Sequence, residues 1–347
     1  MGMIKLPGAS VDFFEENYME IFLSGSLAEG KWNKEVGEWA CTYTSAAHAL
    51  AVNSNGAGIL AILNVLKTFR DKKSIFIQSN TMYGVKTMSL TSGLELIGYV
   101  DCSLDYLMPT YNQVKIFIDA IENPKESVFL LTHIGGWVNP DIERIAELCK
   151  EKGVALVEDC AHSIGATLKG KHTGLFGDAG VYSLYATKSI PAGEGGIIVS
   201  NDEDLFSKVE KYSIYDRFDQ ELDLGVNNRM SEIQALLSFS VLKESPSIIE
   251  NKYLIAEKYM SECDANGWEY IHPKAGDQYS NLYKFILLSR SSNPIDEFEQ
   301  IKTRTSPVYD YALGNDSAEV HTRHICLPIW YELEDEEVNK IMLELRN

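Results

Sequence analysis

Short apolar runs alternate with longer segments of helical spacing through the first two-thirds of the chain. The strand-like runs are Ser74–Ile77, Leu94–Val100, Ser127–Leu131, Val154–Val157, Gly180–Leu184 and Ile197–Ser200. Ile59–Phe69, Tyr111–Ile121 and Asp141–Glu151 instead place apolar residues every third or fourth position, the period of a helix with one buried face. Phe13–Phe22 predicts an N-terminal helix, and Asp202–Tyr212 and Ser231–Lys243 predict two more. Such alternation predicts an α/β domain with a mostly parallel sheet. Ligands of these sheets gather at the carboxyl ends of the strands.

The pattern changes from about Asn266. Ser247–Cys263 reads as a long helix leading out of the large domain. Leu282–Leu288 then reads as a strand, Pro294–Lys302 as a helix and Glu334–Leu345 as a final helix. The expected division is a large domain over 1–246 and a small α+β domain over 247–347 that includes the connecting helix. Loops 25–35, 211–224 and 303–323 carry no readable code, and there is no internal repeat or low-complexity tract.

The 347 residues are 45% hydrophobic, enough for one large core and a smaller one. The formal net charge of -19 sets the chain against nucleic-acid backbones, because no basic stretch offsets that field. An anionic substrate therefore needs a local cationic pocket. The six cysteines are scattered without close pairing, which argues against a zinc site or a disulfide framework and fits a reducing cytoplasm. No stretch approaches the roughly 20 apolar residues of a membrane span, and Met1–Pro7 has no apolar signal core.

The candidate chemistry lies at two predicted strand ends. One apolar run ends at Ser183 and reaches Thr187 and Lys188 before a turn containing Gly193, Gly195 and Gly196. A positioned lysine amine can form a Schiff base with an aldehyde; the competing reading is a surface lysine before a loop. The other run ends in Glu158 and Asp159, followed by Ala161 and His162. A carboxylate there can keep a ring nitrogen protonated, the state in which pyridoxal phosphate acts as an electron sink; a helix-capping or surface acid is the alternative. Strand alternation puts Glu158 on the opposite face, which favours Asp159. His162 could touch the ring or serve a structural hydrogen bond at a strand-to-helix turn. An Asp159/His162 metal pair lacks further ligands nearby. Asn55-Gly56-Ala57-Gly58, before the Ile59 helix, has the character of an anion site, where free amides and the helix dipole attract phosphate. Ser183 could donate to the same phosphate.

Several stretches in this order resemble the DegT/DnrJ/StrS aminotransferases, pyridoxal-phosphate enzymes that aminate keto sugars. Glu158-Asp159-Cys160-Ala161-His162-Ser163-Ile164-Gly165-Ala166 resembles E-D-x-A-[QH]-x-x-G-A, and Gly177-Asp178-Ala179-Gly180-Val181-Tyr182-Ser183 resembles G-D-x-x-x-[FY]-S. Thr187-Lys188 followed by Gly193-Glu194-Gly195-Gly196 is similar to T-K…G-E-G-G, and Gly225-Val226-Asn227-Asn228-Arg229-Met230 to G-x-N-x-R-M. Weaker similarity covers nearly the whole chain.

The resemblance implies the aspartate aminotransferase-like fold (fold type I) and a homodimer with shared active sites. It implies pyridoxal 5'-phosphate as cofactor, with Lys188 as its Schiff-base lysine and general base. Asp159 would be the ring-nitrogen partner, Ser183 a phosphate ligand and His162 a neighbour of the ring. Asn227 would reach the phosphate of the neighbouring subunit's cofactor. Two positions depart from the family pattern. Ala57 stands where a hydroxyl residue usually follows Gly56, leaving backbone amides for the phosphate. Met82 stands at the usual ring-stacking aromatic, with Tyr83 next to it, so either can pack on the ring. Arg229 is a candidate for a substrate anion, with a structural ion pair as the alternative.

The implied reaction moves an amino group from L-glutamate to a keto sugar, carried on a nucleotide. Three alternatives stand beside it: a non-sugar keto acceptor, a sugar dehydratase of the same family, and a non-catalytic regulator sensing cofactor or sugar. Lys188 speaks against the dehydratase, which has histidine there. The combination of Asp159, Ser183, Lys188 and Asn227 speaks against the regulator.

Overall fold

Side-chain alternation along the apolar runs decides how the layers form. The computed structural model describes residues 5–289, 298, 301 and 314–346. Helices α1 (Gly8–Ser24) and α2 (Lys31–Thr44) precede β1 (His48–Val52) and α3 (Asn55–Phe69). Then come β2 (Ser74–Gln78), α4 (Tyr83–Thr91), β3 (Glu95–Val100), α5 (Tyr111–Asp119), β4 (Ser127–Thr132), α6 (Ile142–Lys152) and β5 (Ala155–Cys160). Two short strands, β6 (Thr167–Leu168) and β7 (Lys171–His172), lead to β8 (Ala179–Ser183) and β9 (Gly196–Ser200). Three helices follow: α7 (Glu203–Ser213), α8 (Glu232–Leu242) and α9 (Ser245–Asn266). The chain ends with β10 (Glu269–Tyr270), β11 (Lys274–Ala275), β12 (Gln278–Tyr279), β13 (Phe285–Leu288), α10 (Asn315–Thr322), β14 (His324–Leu327) and α11 (Asp335–Leu345).

Seven strands make the main sheet in the order β1-β9-β8-β5-β4-β2-β3. β9 pairs antiparallel with both its neighbours, and the remaining pairs are parallel. β4, β5, β8 and β9 are buried along their whole length, as strands covered on both faces must be. Alternate residues feed opposite layers. Val181 and Ile198 pack with Ile59, Ile62 and Val209 of α3 and α7. Tyr182, Ile197 and Val199 pack with Val36 and Leu236 of α2 and α8. Phe129 and Leu131 meet Ile145 and Leu148 of α6. Each such buried aliphatic side chain contributes about 1.5–3 kcal/mol.

Helix α3 lies close on the sheet at Gly58. A Cβ there would stand 2.7 Å from Val181 Cγ1 and 3.0 Å from Ile198 Cγ1, so only glycine allows the approach. Downstream, β10, β13 and β14 form an antiparallel sheet packed against α9 and α11. β11, β12, β6 and β7 form a small sheet that joins residues 167–172 to 274–279.

Among the described residues the expected elements are present with shifted ends, and several expectations need correction. Asn55–Gly58 does not precede the helix expected from Ile59 but forms its first turn: Ser54 Oγ accepts from the Ala57 amide at 3.1 Å, and α3 begins at Asn55. The strand expected from Leu282 begins at Phe285, because Leu282 has φ +52°. Segment 25–35 runs into α2, and 303–323 contains the whole of α10. The segment after β5 is a turn leading to β6, not the start of a helix. β1, α2 and α4 had no clear sequence signal. The helix expected at Pro294–Lys302 lies outside the described residues apart from Phe298 and Ile301. Among the described residues, no helix is long and apolar enough to cross a membrane.

Candidate active site

Parallel pairing brings three polar residues to one edge of the sheet. Asp159, near the end of β5, stands opposite Thr132, the last residue of β4, and Ser183 ends the adjacent β8. Asp159 is 3% exposed. Its Oδ1 accepts from Asn55 Nδ2 at 3.1 Å and from the Ala161 amide at 3.0 Å, and its Oδ2 from Thr132 Oγ1 at 3.4 Å. Thr132 and Thr81 share a hydroxyl contact at 2.8 Å. Burial pushes the Asp159 carboxyl above the usual range, opposed by the Ala161 amide, the Lys188 charge, Asn55 and Thr132. A buried carboxylate of this kind gains from a cationic partner.

Lys188 follows β8 at the start of the glycine turn, with its amide donating to the Tyr185 carbonyl at 2.8 Å. Gly193 and Gly195 hold φ of +85° and +148°, and Leu184 and Ala186 bond back to them across the turn. At Gly196 a Cβ would lie 2.6 Å from the carbonyl carbon of Ser54, so the turn is seated against the cap of α3. The Asn55 and Gly56 amides have no protein partner among the described residues, and the helix dipole adds to their pull on an anion. Ala57, which lacks a hydroxyl, has its amide already held by Ser54.

These parts surround one cleft of about 390 Å³, lined by Ser54, Asn55, Gly56, Met82, His162, Ser183, Lys188 and Tyr283 among others. A smaller recess of about 110 Å³ shares Asn55, Gly56, Met82, His162 and Lys188 and reaches Thr132 and Asp159. His162 stacks on Tyr283 with ring centroids 4.4 Å apart, and its Nδ1 accepts from the Gly135 amide at 3.3 Å. Burial, helped by the charges of Lys188 and Lys284, lowers its pKa well below the usual value, so the imidazole is neutral. Lys188 Nζ lies 5.2 Å from the Tyr283 ring centroid.

Met82 lines the cleft and Tyr83, the first residue of α4, does not. Asn227 is also outside it: the residue is exposed, and its Oδ1 accepts from Arg229 Nε at 2.9 Å. Arg229 pairs with Glu29 at 3.2 Å, which is the structural reading of that cation. Both residues of that pair line a larger cavity, of about 910 Å³, that contains none of the predicted cofactor residues.

Glu158 does face the other way. Its Oε1 accepts from the Phe176 and Gly177 amides, both at 2.7 Å, and its Oε2 from Gly174 N at 2.8 Å and His133 Nε2 at 2.7 Å. His133 Nδ1 accepts from the Asn139 amide, so its proton is on Nε2. The buried group His133, Glu158 and Cys160 could hold a metal by proximity. Its lone pairs are already used in this hydrogen-bond network, and burial pushes the Cys160 thiol well up.

Comparison with known proteins decides the family. Residues 10–346 match the model of the DegT/DnrJ/EryC1/StrS aminotransferase family. The chain belongs to this family. It is 26% identical over 278 residues to GDP-perosamine synthase of Escherichia coli O157:H7, covering 73% of this chain and 75% of that one. It is also 26% identical over 278 residues to UDP-4-amino-4,6-dideoxy-N-acetyl-beta-L-altrosamine transaminase of Helicobacter pylori, covering 78% and 72%. The aminotransferase TlmJ from Streptoalloteichus hindustanus superposes with a TM-score of 0.85 at 21% identity, over 100% of this chain and 98% of that one.

As a DegT/DnrJ/EryC1/StrS aminotransferase, the protein is a pyridoxal-phosphate-dependent enzyme with the fold of type I. The cleft fits that cofactor. It offers a buried acid for the ring nitrogen, a lysine for the aldehyde, and amides with a serine hydroxyl for the phosphate. Sequence reading missed the side chain of Asn55, Thr132 and Tyr283. Thr132 left a weak trace, a polar residue closing the apolar run from Ser127. Tyr283 left none, because its segment reaches the cleft from far along the chain.

Proposed function

We propose that this aminotransferase moves an amino group from L-glutamate to a keto sugar carried on a nucleotide, in amino-sugar biosynthesis. The observation that carries the reading is the convergence of Asp159, Ser183, Lys188 and the start of α3 on one cleft. The relatives' names, GDP-perosamine synthase and a UDP-amino-dideoxy-sugar transaminase, support the sugar class.

When bound, the cofactor supplies a protonated pyridine ring that takes up the electron pair left by a departing proton. The chain's own residues hold and use it. Asp159 is assigned to the ring nitrogen, where a positive charge offsets the cost of burying its carboxylate. The Asn55 and Gly56 amides at the start of α3 and the Ser183 hydroxyl are assigned to the phosphate. His162, neutral and fixed by Gly135 and Tyr283, flanks the ring, and Met82 supplies apolar contact from another side of the cleft. Lys188 Nζ anchors the cofactor and removes the proton from the α-carbon of L-glutamate. The same amine delivers a proton when the acceptor takes the amino group.

Asn227 is assigned to the cofactor phosphate of a second copy, as its exposure in its own chain allows, which makes the working assembly a homodimer with shared sites. The large unit runs through residue 246 and the small one from 247, with the break in the first turn of α9. Six cysteines, five of them buried and none in a disulfide among the described residues, fit a reducing cytoplasm.

The test is the visible spectrum of the protein with pyridoxal phosphate, before and after L-glutamate. The expected result is a band from the lysine-bound cofactor that collapses on adding the donor. A band that L-glutamate leaves unchanged would rule out the donor or the reaction. No band in the folded protein would remove Lys188 from its role.

A further inference from the structure

A second cavity, of about 310 Å³, meets the cleft at Thr187, Lys188 and Tyr283. Its walls include Ile248, Pro328 and Trp330, and its cations are Lys5, Lys188, Lys252 and Lys284. Acidic residues outnumber basic ones 50 to 31 in this chain, yet among the described residues no carboxylate lines this cavity.

Lys252 is the unusual member. It sits on α9, is 2% exposed, and its Nζ donates to Ser189 Oγ at 3.1 Å. No acid among the described residues lies within ion-pair distance of Lys252 or Lys284, whereas Lys5 is paired with Glu334 at 3.4 Å. Burial, with the nearby Lys284 charge, lowers the Lys252 pKa to about 7. A buried ammonium without a counter-ion is costly, and lysines are rarely buried unless paired. An anion entering the cavity would supply the missing charge.

We infer that this cavity is the subsite for a carboxylate of the amino donor, held by Lys252 and Lys284. The inference rests on the aminotransferase reading above. The amides at the start of α3 already provide one anion site in the cleft, which the cofactor phosphate takes, so a second cationic site beside Lys188 is left for a substrate. Lys188 must reach the donor's α-carbon, and a carboxylate is bonded directly to that carbon. The diphosphate of a sugar nucleotide is separated from its reacting carbon by the sugar ring. A cavity that Lys188 itself lines matches the first distance. Two uncompensated lysines also match a dicarboxylate such as L-glutamate.

The test uses glutarate, a dicarboxylate with no amine to transfer, titrated calorimetrically into the cofactor-loaded protein and its Lys252→Met and Lys284→Met variants. Each variant should weaken glutarate binding tenfold or more. Dissociation constants within twofold of the parent in both variants would overturn the subsite. Uridine diphosphate is titrated in parallel: loss of its binding with glutarate binding intact would move the lysines to the acceptor and overturn the donor assignment. Lys284 is half-exposed, so its variant carries the test if Lys252→Met does not fold. The absorbance change of the parent protein with L-glutamate reports separately on the aminotransferase reading, so failure of one is distinguishable from failure of the other.

Discussion

Asn55 donates from its side chain to Asp159 at 3.1 Å while its own backbone opens α3. The helix start assigned to the phosphate and the acid assigned to the ring are therefore one rigid unit. Asn55 is further fixed by the Val181 carbonyl at 2.8 Å. Removing its amide in Asn55→Ala takes a hydrogen bond from a buried carboxylate, an interaction of about 1.5–3 kcal/mol. The dissociation constant of pyridoxal phosphate, read by equilibrium dialysis, should rise about tenfold or more. An unchanged constant in a folded variant would mean that Asn55 does not position Asp159 for the cofactor.

Two adjacent acids should respond in opposite ways. Glu158→Gln replaces an acceptor of four hydrogen bonds with an amide whose nitrogen cannot accept. At least one buried N–H loses its partner, at about 1–3 kcal/mol each. Asp159→Asn keeps the shape and removes a charge that burial already disfavours. Urea unfolding should show Glu158→Gln destabilised by about 3 kcal/mol and Asp159→Asn shifted by under about 1 kcal/mol. The amino-transfer rate should fall sharply in Asp159→Asn. Equal destabilisation would show that the two faces of β5 do not divide structure from chemistry.

That division was legible in the sequence because strand alternation has a fixed period of two. Glu158 and Asp159 could be told apart without coordinates. The central strands and the glycines beside Lys188 were legible for a similar reason: their signals are local. Tyr283 and Lys252 were not. Tyr283 follows Leu282, whose positive φ breaks the strand pattern, and Lys252 occupies one position of a helix whose periodicity says only that it is buried. Their meaning comes from α9 and the segment before β13 packing beside a loop near residue 188, a contact over many residues that no local pattern encodes. β1 was missed because its short run, His48–Val52, holds two alanines and a single β-branched residue, and gains strand character only by pairing with β9.

Replacing Lys188 with alanine separates binding from chemistry. The variant keeps Asp159, Ser183 and the α3 amides, so it should still take up the cofactor. Proton transfer by a placed base contributes about 10²–10⁴-fold to rate. Single-turnover mixing with L-glutamate should show at least that loss in Lys188→Ala, with the circular dichroism of the parent fold retained. A rate within tenfold of the parent would take the base role from Lys188.

Lys252 makes a prediction about stability that needs no substrate. Its folded pKa of about 7 lies below the unfolded value of about 10.4. The folded state therefore disfavours the charged form. Below about pH 7 the lysine is protonated in both states, and the native protein bears the full cost of burying it. Between about 7 and 10 the unfolded chain binds more protons than the folded one, so stability rises with pH across that window. The groups facing Lys252 do not reverse this sign. Ser189 carries no charge, Lys284 and Lys188 are basic like Lys252 itself, Tyr283 lines the same cavity, and burial with the Glu332 charge pushes the Tyr331 hydroxyl up. Lys252→Met keeps much of the buried volume and removes the charge. Its melting temperature should exceed the parent's by several degrees at pH 6, with the gap closing as the pH approaches 10. A variant less stable than the parent at pH 6 would mean that an anion or carboxylate already compensates the ammonium in the resting protein.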